Sequence, residues 1–170
     1  ILYTGNGGTN AISGLGFQPD LVWLKRRDSD ASHQLYDSSR GAGQLISSNN
    51  TDAEQDVSST GLTAFGTDGF TLGSAGGANA STATFVAWGW RANGGTTSTN
   101  TSGTITSTVQ ANTAAGFSII TYTGTGSNAT IGHGLSAKPD FFTIKNRDGG
   151  TGMAWTTYHS SFCLLYTSPS

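Results

Sequence analysis

One stretch of this sequence occurs twice, first over residues 17–28 and again over residues 137–148. Both copies contain a Pro-Asp pair, a run of apolar residues and a Lys-x-Arg-Asp motif, in that order. The match continues upstream, where Tyr-Thr-Gly at residues 3–5 is repeated at residues 122–124. An internal repeat predicts structurally equivalent units. The fold must therefore accommodate one unit and part of a second unit of the same kind.

The duplication sets the predicted boundaries. Residues 1–92 form a nearly complete first unit, which lacks most of its N-terminal strand. Residues 93–103 are mostly Gly, Thr, Ser and Asn, a composition typical of a flexible linker. Residues 104–162 form a partial second unit, since nothing in them corresponds to Gln44–Trp90. Residues 163–170 match the translation of a transposase-adapter sequence, so we expect a sequencing artefact that hangs free.

The correspondence of the two copies makes specific structural predictions. Residues 3–39 should superpose on residues 122–161, with Tyr36 over Tyr158. A sandwich buries the inner face of each sheet against the other sheet, and the partial unit has no complete partner sheet. We therefore expect part of residues 104–124 to pack beside the first unit.

Short runs of alternating Val, Phe, Trp, Tyr and Thr between Gly and Asn turns predict strands, and no segment has the period of a helix of three turns. Asp-Gly between two apolar runs predicts a hairpin around residues 66–69. The predicted fold class is all-β, an antiparallel β-sandwich. Its predicted strands are the end of one at Ile1–Thr4, followed by Leu21–Arg26, Ser32–Tyr36, Gln44–Ser47, Leu62–Phe65, Phe70–Leu72, Thr82–Trp90, Thr104–Val109, Phe117–Thr123, Phe141–Lys145 and Met153–Tyr158.

Composition argues against two classes of partner. Only 11% of the residues are charged and the net charge is −2, so the chain lacks the basic excess that binds a nucleic-acid backbone. No apolar run approaches the roughly 20 residues that span a bilayer. The only cysteine is Cys163, which leaves the rest of the chain without a disulfide framework or a thiol nucleophile.

Five residues are candidates for a polar ligand site: Trp23, Arg27, Asp28, Asp37 and Arg40. Arg27 beside Asp28 at a strand end suits a charge-assisted pair with a neighbouring loop or with the Asp37/Arg40 turn. The same residues also fit an ion pair that only fixes a turn, with Asp37 capping backbone amides. Trp23 offers an aromatic face on which a sugar could stack.

Trp88 and Trp90 are also candidates for sugar stacking, but their alternation with Val86 on one strand face favours packing in the core. The second copy has His159 at the position of Asp37, a change that a catalytic carboxylate would not tolerate.

The pattern of carboxylates and histidines predicts no metal, no cofactor and no enzymatic activity. The oxygen-rich loop over residues 49–56 invites a comparison with calcium sites, but its spacing does not match an EF-hand. The three histidines have no zinc-site spacing. Glu54 is the only glutamate, whereas a glycosidase needs a pair of carboxylates across the bond that it cleaves.

Residues 1–162 resemble a repeat of large virion proteins from marine tailed phages. The motifs that carry the resemblance are Tyr-Thr-Gly-Asn-Gly, Gly-Phe-Gln-Pro-Asp-Leu-Val-Trp-Leu-Lys-x-Arg-Asp, Tyr-Asp-Ser-x-Arg-Gly, Leu-Ile-Ser-Ser-Asn, Asp-Gly-Phe-Thr-Leu-Gly and Phe-Val-Ala-Trp-x-Trp. The resemblance implies a concanavalin-A-like jelly-roll sandwich located in the virion.

Two functions from different classes follow as expectations. The first is a virion structural module of a tail fibre, decoration or adhesion protein, without catalytic activity, whose partners are other virion proteins or further copies of itself. The alternative is a carbohydrate-binding module that recognises host-surface glycans, with exposed aromatic residues and the Asn-rich loops forming its site. A glycan hydrolase is a third, weaker alternative.

Overall fold

The computed structural model describes residues 1–149 and 153–161, and within them the chain is all-β apart from one short helix. The first unit contributes nine strands and the helix: β1 (Leu2–Thr4), β2 (Asn10–Ser13), β3 (Leu21–Arg26), β4 (Gln34–Asp37), β5 (Gln44–Ser47), β6 (Gln55–Asp56), β7 (Leu62–Gly66), β8 (Gly69–Leu72), α1 (Gly76–Asn79) and β9 (Thr84–Trp90). The following residues contribute β10 (Ser98–Asn100), β11 (Ser107–Asn112), β12 (Phe117–Tyr122), β13 (Phe141–Ile144) and β14 (Thr156–His159). The predicted all-β class is therefore confirmed.

The first unit holds two antiparallel sheets. One has six strands in the order β1-β9-β3-β4-β5-β6, and the other has three in the order β2-β8-β7. Both sheets and α1 contribute to a single core, whose buried members are Ile12, Val22, Leu24, Tyr36, Leu45, Leu62, Phe70, Leu72, Ala78 and Ala87. A core shared by the faces of two sheets is consistent with the predicted β-sandwich.

Local sequence signals located several strands well. β3 and β5 have the predicted bounds, and the Asp-Gly signal marks the β7–β8 hairpin, which turns through Thr67 and Asp68. The Asp68 carboxylate accepts hydrogen bonds from the amides of Gly14 and Gly16, so this turn also holds the loop after β2. The other predicted strands differ from the observed ones by a few residues at their ends, and β2, β6 and β10 were not predicted.

The segment over residues 93–103 corrects the expectation of a flexible linker. It contains β10, which pairs with β11, and its Gly94 and Gly95 amides donate hydrogen bonds to the Asp20 carboxylate. A composition rich in Gly and Ser shows only that a segment has no apolar face to bury. Here backbone hydrogen bonds to buried side chains order it instead.

The second hairpin repeats the register of the first. Tyr158 lies opposite Phe142 in the β13–β14 pair, as Tyr36 lies opposite Val22 in the β3–β4 pair. The match covers this hairpin only. β3 also pairs with β9, whereas β13 pairs with β14 alone among the described residues.

The two parts of the chain contact one another, and the predicted contact of residues 104–124 with the first unit is present. Gln110 on β11 donates hydrogen bonds to the hydroxyls of Ser38 and Ser39 in the first unit. The indole N–H of Trp155 donates to the carbonyl of Ser47 at 2.9 Å. The expectation for residues 163–170 lies outside the described residues. Over the described part of the chain, no helix has the length and apolar character needed to cross a membrane.

Candidate functional site

The outer face of the six-stranded sheet carries a cluster of aromatic side chains around Trp23. Val22 and Leu24 point into the core, so the intervening Trp23 lies on the opposite face of β3. Trp88 on β9 lies directly across from Trp23, with ring centroids 5.6 Å apart and ring planes tilted by 55°. The ring of His33 also lies beside Trp23, with the two ring centroids 6.0 Å apart. We call Trp23, Trp88, Trp90 and His33 the aromatic face.

The aromatic face corrects the expectation that Trp88 and Trp90 pack in the core. Their side chains are 47% and 37% exposed, while Phe85 on the opposite face of β9 is fully buried. The surroundings of Gly89 explain why the face of β9 that carries Gly89 points inward. A Cβ at this position would lie 3.2 Å from Leu15 and 3.3 Å from Pro19, closer than most Cβ contacts.

A polar depression adjoins the aromatic face. It is open to solvent, has a volume of about 540 Å³, and is lined by Lys25, Asp30, Ala31, Ser32, His33 and Asn49. The side-chain carbonyl of Asn49 accepts the His33 amide at 2.8 Å, which fixes the loop wall. An exposed aromatic surface beside amide, carboxylate and ammonium groups suits a ligand with both apolar and hydroxyl-rich faces.

The indole N–H of Trp23 is buried and has no hydrogen-bond partner among the residues described. A buried indole N–H usually has an acceptor, so the desolvation of this donor is not compensated by a hydrogen bond. Trp23 does not line the depression, and we assign this donor no ligand.

Arg27 and Asp28 lie at the end of β3 remote from Asp37, because the register places Leu21 opposite Asp37. The expected pairing of Arg27 and Asp28 with the Asp37/Arg40 turn is therefore wrong. Asp28 instead forms an ion pair with Arg26 at 2.6 Å and accepts the Thr84 amide. These hydrogen bonds, led by that of Arg26, hold the pKa of Asp28 below its ordinary value. This ion pair fixes the end of β3, but it is formed by Arg26 and not by Arg27.

Asp37 and Arg40 belong to a buried ion network. Arg40 donates to the carboxylates of Asp37 at 2.5 Å and Glu54 at 2.7 Å, and Arg147 of the second hairpin binds the other oxygen of Glu54 at 2.5 Å. The Asp37 carboxylate also caps the Arg40 amide. With both carboxylates occupied by guanidinium groups, this network holds the second hairpin against the first unit.

The five predicted site residues therefore occupy three separate places. Trp23 is in the aromatic face, Arg27 and Asp28 mark one end of β3, and Asp37 with Arg40 is buried beyond the other end. Sequence reasoning gave His33 no role in a site with Trp23. The nearest signal was the alternation along β3, which puts Lys25 on the face of Trp23.

The side chains of the oxygen-rich loop are engaged within the protein. Asn50 donates to Asp52 at 2.7 Å, Glu54 is in the ion network, and Asp56 caps the Ser58 amide. In the part of the chain that the structure describes, no three side chains of the metal-binding types come together.

Glu54 makes the ion network sensitive to acid. Burial raises the pKa of Glu54, but hydrogen bonds from Arg147 and Arg40 outweigh burial and leave the pKa below its ordinary value. The unfolded chain therefore binds the proton more readily, and stability must fall as the pH falls. The contribution should be complete above the unfolded pKa of about 4.3 and lost as the pH falls through the folded value.

Urea denaturation of the wild type and Glu54→Gln from pH 7 to pH 3 measures this effect. We expect the wild type to be more stable at pH 7 and the difference to shrink below about pH 4.3. A difference that stays constant to pH 3 would show that the carboxylate charge is not what stabilises the network.

A second buried polar cluster joins the two units, and sequence reasoning missed it. The carboxylate of Asp20 accepts hydrogen bonds from the amides of Ala92, Gly94 and Gly95 and from the Ser38 hydroxyl, at 2.7–2.9 Å. The side-chain carbonyl of Gln110 accepts the Gly95 amide at 2.9 Å. We call Asp20, Ser38, Gln110 and residues 92–95 the junction. The one feature of the sequence that pointed to the junction was the repeated Pro-Asp pair, which contains Asp20.

Comparison with known proteins adds a family. A family model described as a domain of unknown function (DUF7483) matches residues 1–168. No curated protein and no solved structure gives a significant match. The family description assigns no activity, so the function has to be argued from the geometry.

Proposed function

The chain belongs to the DUF7483 family, and we propose that it is a non-catalytic repeat module of a tailed-phage virion protein. Its place is in a tail fibre, a decoration protein or an adhesion protein on the particle surface. Its partners are neighbouring virion proteins, including further copies of itself. The fold is a jelly-roll sandwich of the concanavalin-A-like type.

The observation that carries this proposal is the equivalence of the two hairpins. Beyond the shared register, the Ser160 hydroxyl donates to the Asp140 carboxylate at 2.7 Å, as Ser38 donates to Asp20 at 2.8 Å. A residue-level match of side-chain hydrogen bonds in two places supports a tandem repeat. Tandem units that contact their neighbours make extended, quasi-one-dimensional proteins.

The junction supports a role in which neighbouring units are held at a fixed spacing. A flexible Gly/Ser linker lets neighbouring domains reorient, whereas here the amides of residues 92–95 are bound to buried Asp20 and Gln110. The ion network gives a second contact between the same two parts. A repeat protein with such contacts holds its units at a fixed spacing, which a fibre or decoration protein needs.

The engagement of Asp20, Asp37 and Glu54 in hydrogen bonds and ion pairs supports the non-catalytic part of the proposal. A glycosidase needs one carboxylate as acid and another as base or nucleophile across an open cleft. The carboxylates of Asp37 and Glu54 are both held by Arg40, and Asp20 is buried under backbone amides.

Labelling of phage particles tests the proposal. Antibodies raised against this chain should bind purified tailed-phage particles that carry its gene, and gold labels should lie on the particle surface in electron microscopy. Detection of the chain in the infected-cell lysate, with no label on purified particles, would contradict the virion role.

The exposed aromatic face favours a second function, the binding of host-surface glycans. Exposed tryptophan next to polar groups is unusual for a surface that only faces water, because aromatic side chains gain most from burial. The apolar faces of a sugar could stack on Trp88, while Asp30 and Asn49 bind its hydroxyls. This function is compatible with an adhesion module.

Replacement of Trp88 with alanine tests glycan binding. On a glycan array we expect the wild type to bind a small set of sugars and Trp88→Ala to bind them about tenfold more weakly or worse, since buried tryptophan often dominates such interfaces. Phe141→Ala is the matched control, because Phe141 is an exposed aromatic residue on the second hairpin. Equal binding by wild type and Trp88→Ala would exclude the aromatic face as the site.

A further inference from the structure

The second hairpin presents an open strand edge and an uncovered apolar face. β13 pairs with β14 on one side and with no strand on its other side in the described part of the chain. Phe142 and Ile144 are exposed, while their counterparts Val22 and Leu24 are fully buried. An open edge of this kind is a template for pairing with another strand.

The first hairpin shows what fills this edge. β9 pairs antiparallel with β3, and its small inward residues Gly89 and Ala87 lie opposite Val22 and Leu24. The amides of the residues that follow β9 donate hydrogen bonds to the Asp20 carboxylate. A single segment, residues 84–95, thus supplies both the neighbouring strand and the donors for the carboxylate.

The second hairpin has the matching acceptor. The Asp140 carboxylate accepts from Ser160 just as Asp20 accepts from Ser38, but both Asp140 and Ser160 are exposed. No amide donors equivalent to those of residues 92–95 reach Asp140 within the described residues. The carboxylate therefore retains accepting capacity that is used in the first unit.

We propose that the β13 edge and Asp140 together form a docking site for a second copy of the 84–95 segment, supplied by a further repeat of the same kind. In the first unit's register, Gly89 of that copy lies opposite Phe142 and Ala87 opposite Ile144. A glycine opposite phenylalanine leaves room for the larger ring. Strand addition supplies the backbone hydrogen bonds, and the Asp140 socket fixes the register.

This inference rests on the repeat organisation within the proposed function, and not on a location in the virion. If particles carry no label but the docking is observed, only the virion role fails. If particles are labelled but no docking occurs, only the inference fails.

The test uses the whole chain and a fluorescent peptide with the sequence of residues 81–96, and it measures binding by fluorescence anisotropy. We expect saturable binding, weakened at least about tenfold by Asp140→Ala through loss of charge-assisted hydrogen bonds. Asp148→Ala is the control, because Asp148 is an exposed aspartate on the same hairpin, and it should bind as the wild type does. A peptide with proline at the Gly94 and Gly95 positions, which lacks both amide donors, should also bind more weakly.

Three results would overturn the proposal. The first is the absence of saturable binding. The second is binding that Asp140→Ala leaves unchanged, since the peptide would then occupy another place, such as the β9 position of the first unit. The third is self-association of the chain through this hairpin, measured by sedimentation and abolished by Asp140→Ala, because the occupant would then be an intact second chain.

Discussion

Replacement of Asp20 with alanine is expected to lower the free energy of unfolding by about 3–5 kcal/mol. The carboxylate is fully buried and accepts four hydrogen bonds, three of them from the amides of Ala92, Gly94 and Gly95. Its removal leaves the amides of Ala92 and Gly94 without this acceptor, while the Gly95 amide keeps its hydrogen bond to Gln110. Each unpaired buried donor costs about 1–3 kcal/mol, and the costs add only in part because the segment can relax.

Asp140→Ala is the matched control for Asp20→Ala, because both aspartates follow a proline and bind the equivalent serine. Asp140 is exposed, so its loss should change stability by no more than about 0.5 kcal/mol. Urea denaturation followed by far-UV circular dichroism measures both variants. Similar losses in the two variants would show that the junction does not stabilise the first unit.

Leu24→Ala is expected to destabilise the chain by about 2–5 kcal/mol, because it removes a fully buried side chain from the core between the sheets. Ile144 occupies the equivalent position on β13 but is 37% exposed. Ile144→Ala should therefore cost about 1 kcal/mol or less. The contrast arises because β9 and the three-stranded sheet cover Leu24, while Ile144 has no such cover in the described residues.

Denaturation midpoints of the two alanine variants measure this contrast. If Leu24→Ala does not fold, Leu24→Val and Ile144→Val provide a milder pair with the same expected order. An Ile144 variant that loses as much stability as its Leu24 counterpart would mean that the second hairpin has a buried core of its own, and the open face would be wrong.

Sequence information was sufficient where strong signals from neighbouring residues mark an element. β3 could be bounded because Pro19 precedes it and alternating apolar residues define it. The β7–β8 hairpin followed from Asp-Gly at the turn. The common register of the two hairpins followed from matching motifs, because a shift of one residue would exchange the faces of a strand.

The candidate site was less predictable. The alternation along β9 separates Phe85 and Ala87 from Trp88 and Trp90, but it does not say which set faces the core. Both sets are apolar, so hydrophobicity alone favours the larger tryptophans. Leu15 packs so closely against Gly89 that only the face of β9 without a large side chain at this position fits there. The sequence of β9 alone does not contain this information.

The sequence by itself determined the all-β class, the main strands of the first unit and the repetition of a hairpin, since these rest on short-range periodicity and turn chemistry. Only the tertiary structure decided the partners of the polar groups. Asp20 binds Gly94, and Arg40 binds Glu54 together with Asp37. A hydrogen bond forms where donor and acceptor meet in space, and residues far apart in sequence meet only after the sheets have packed.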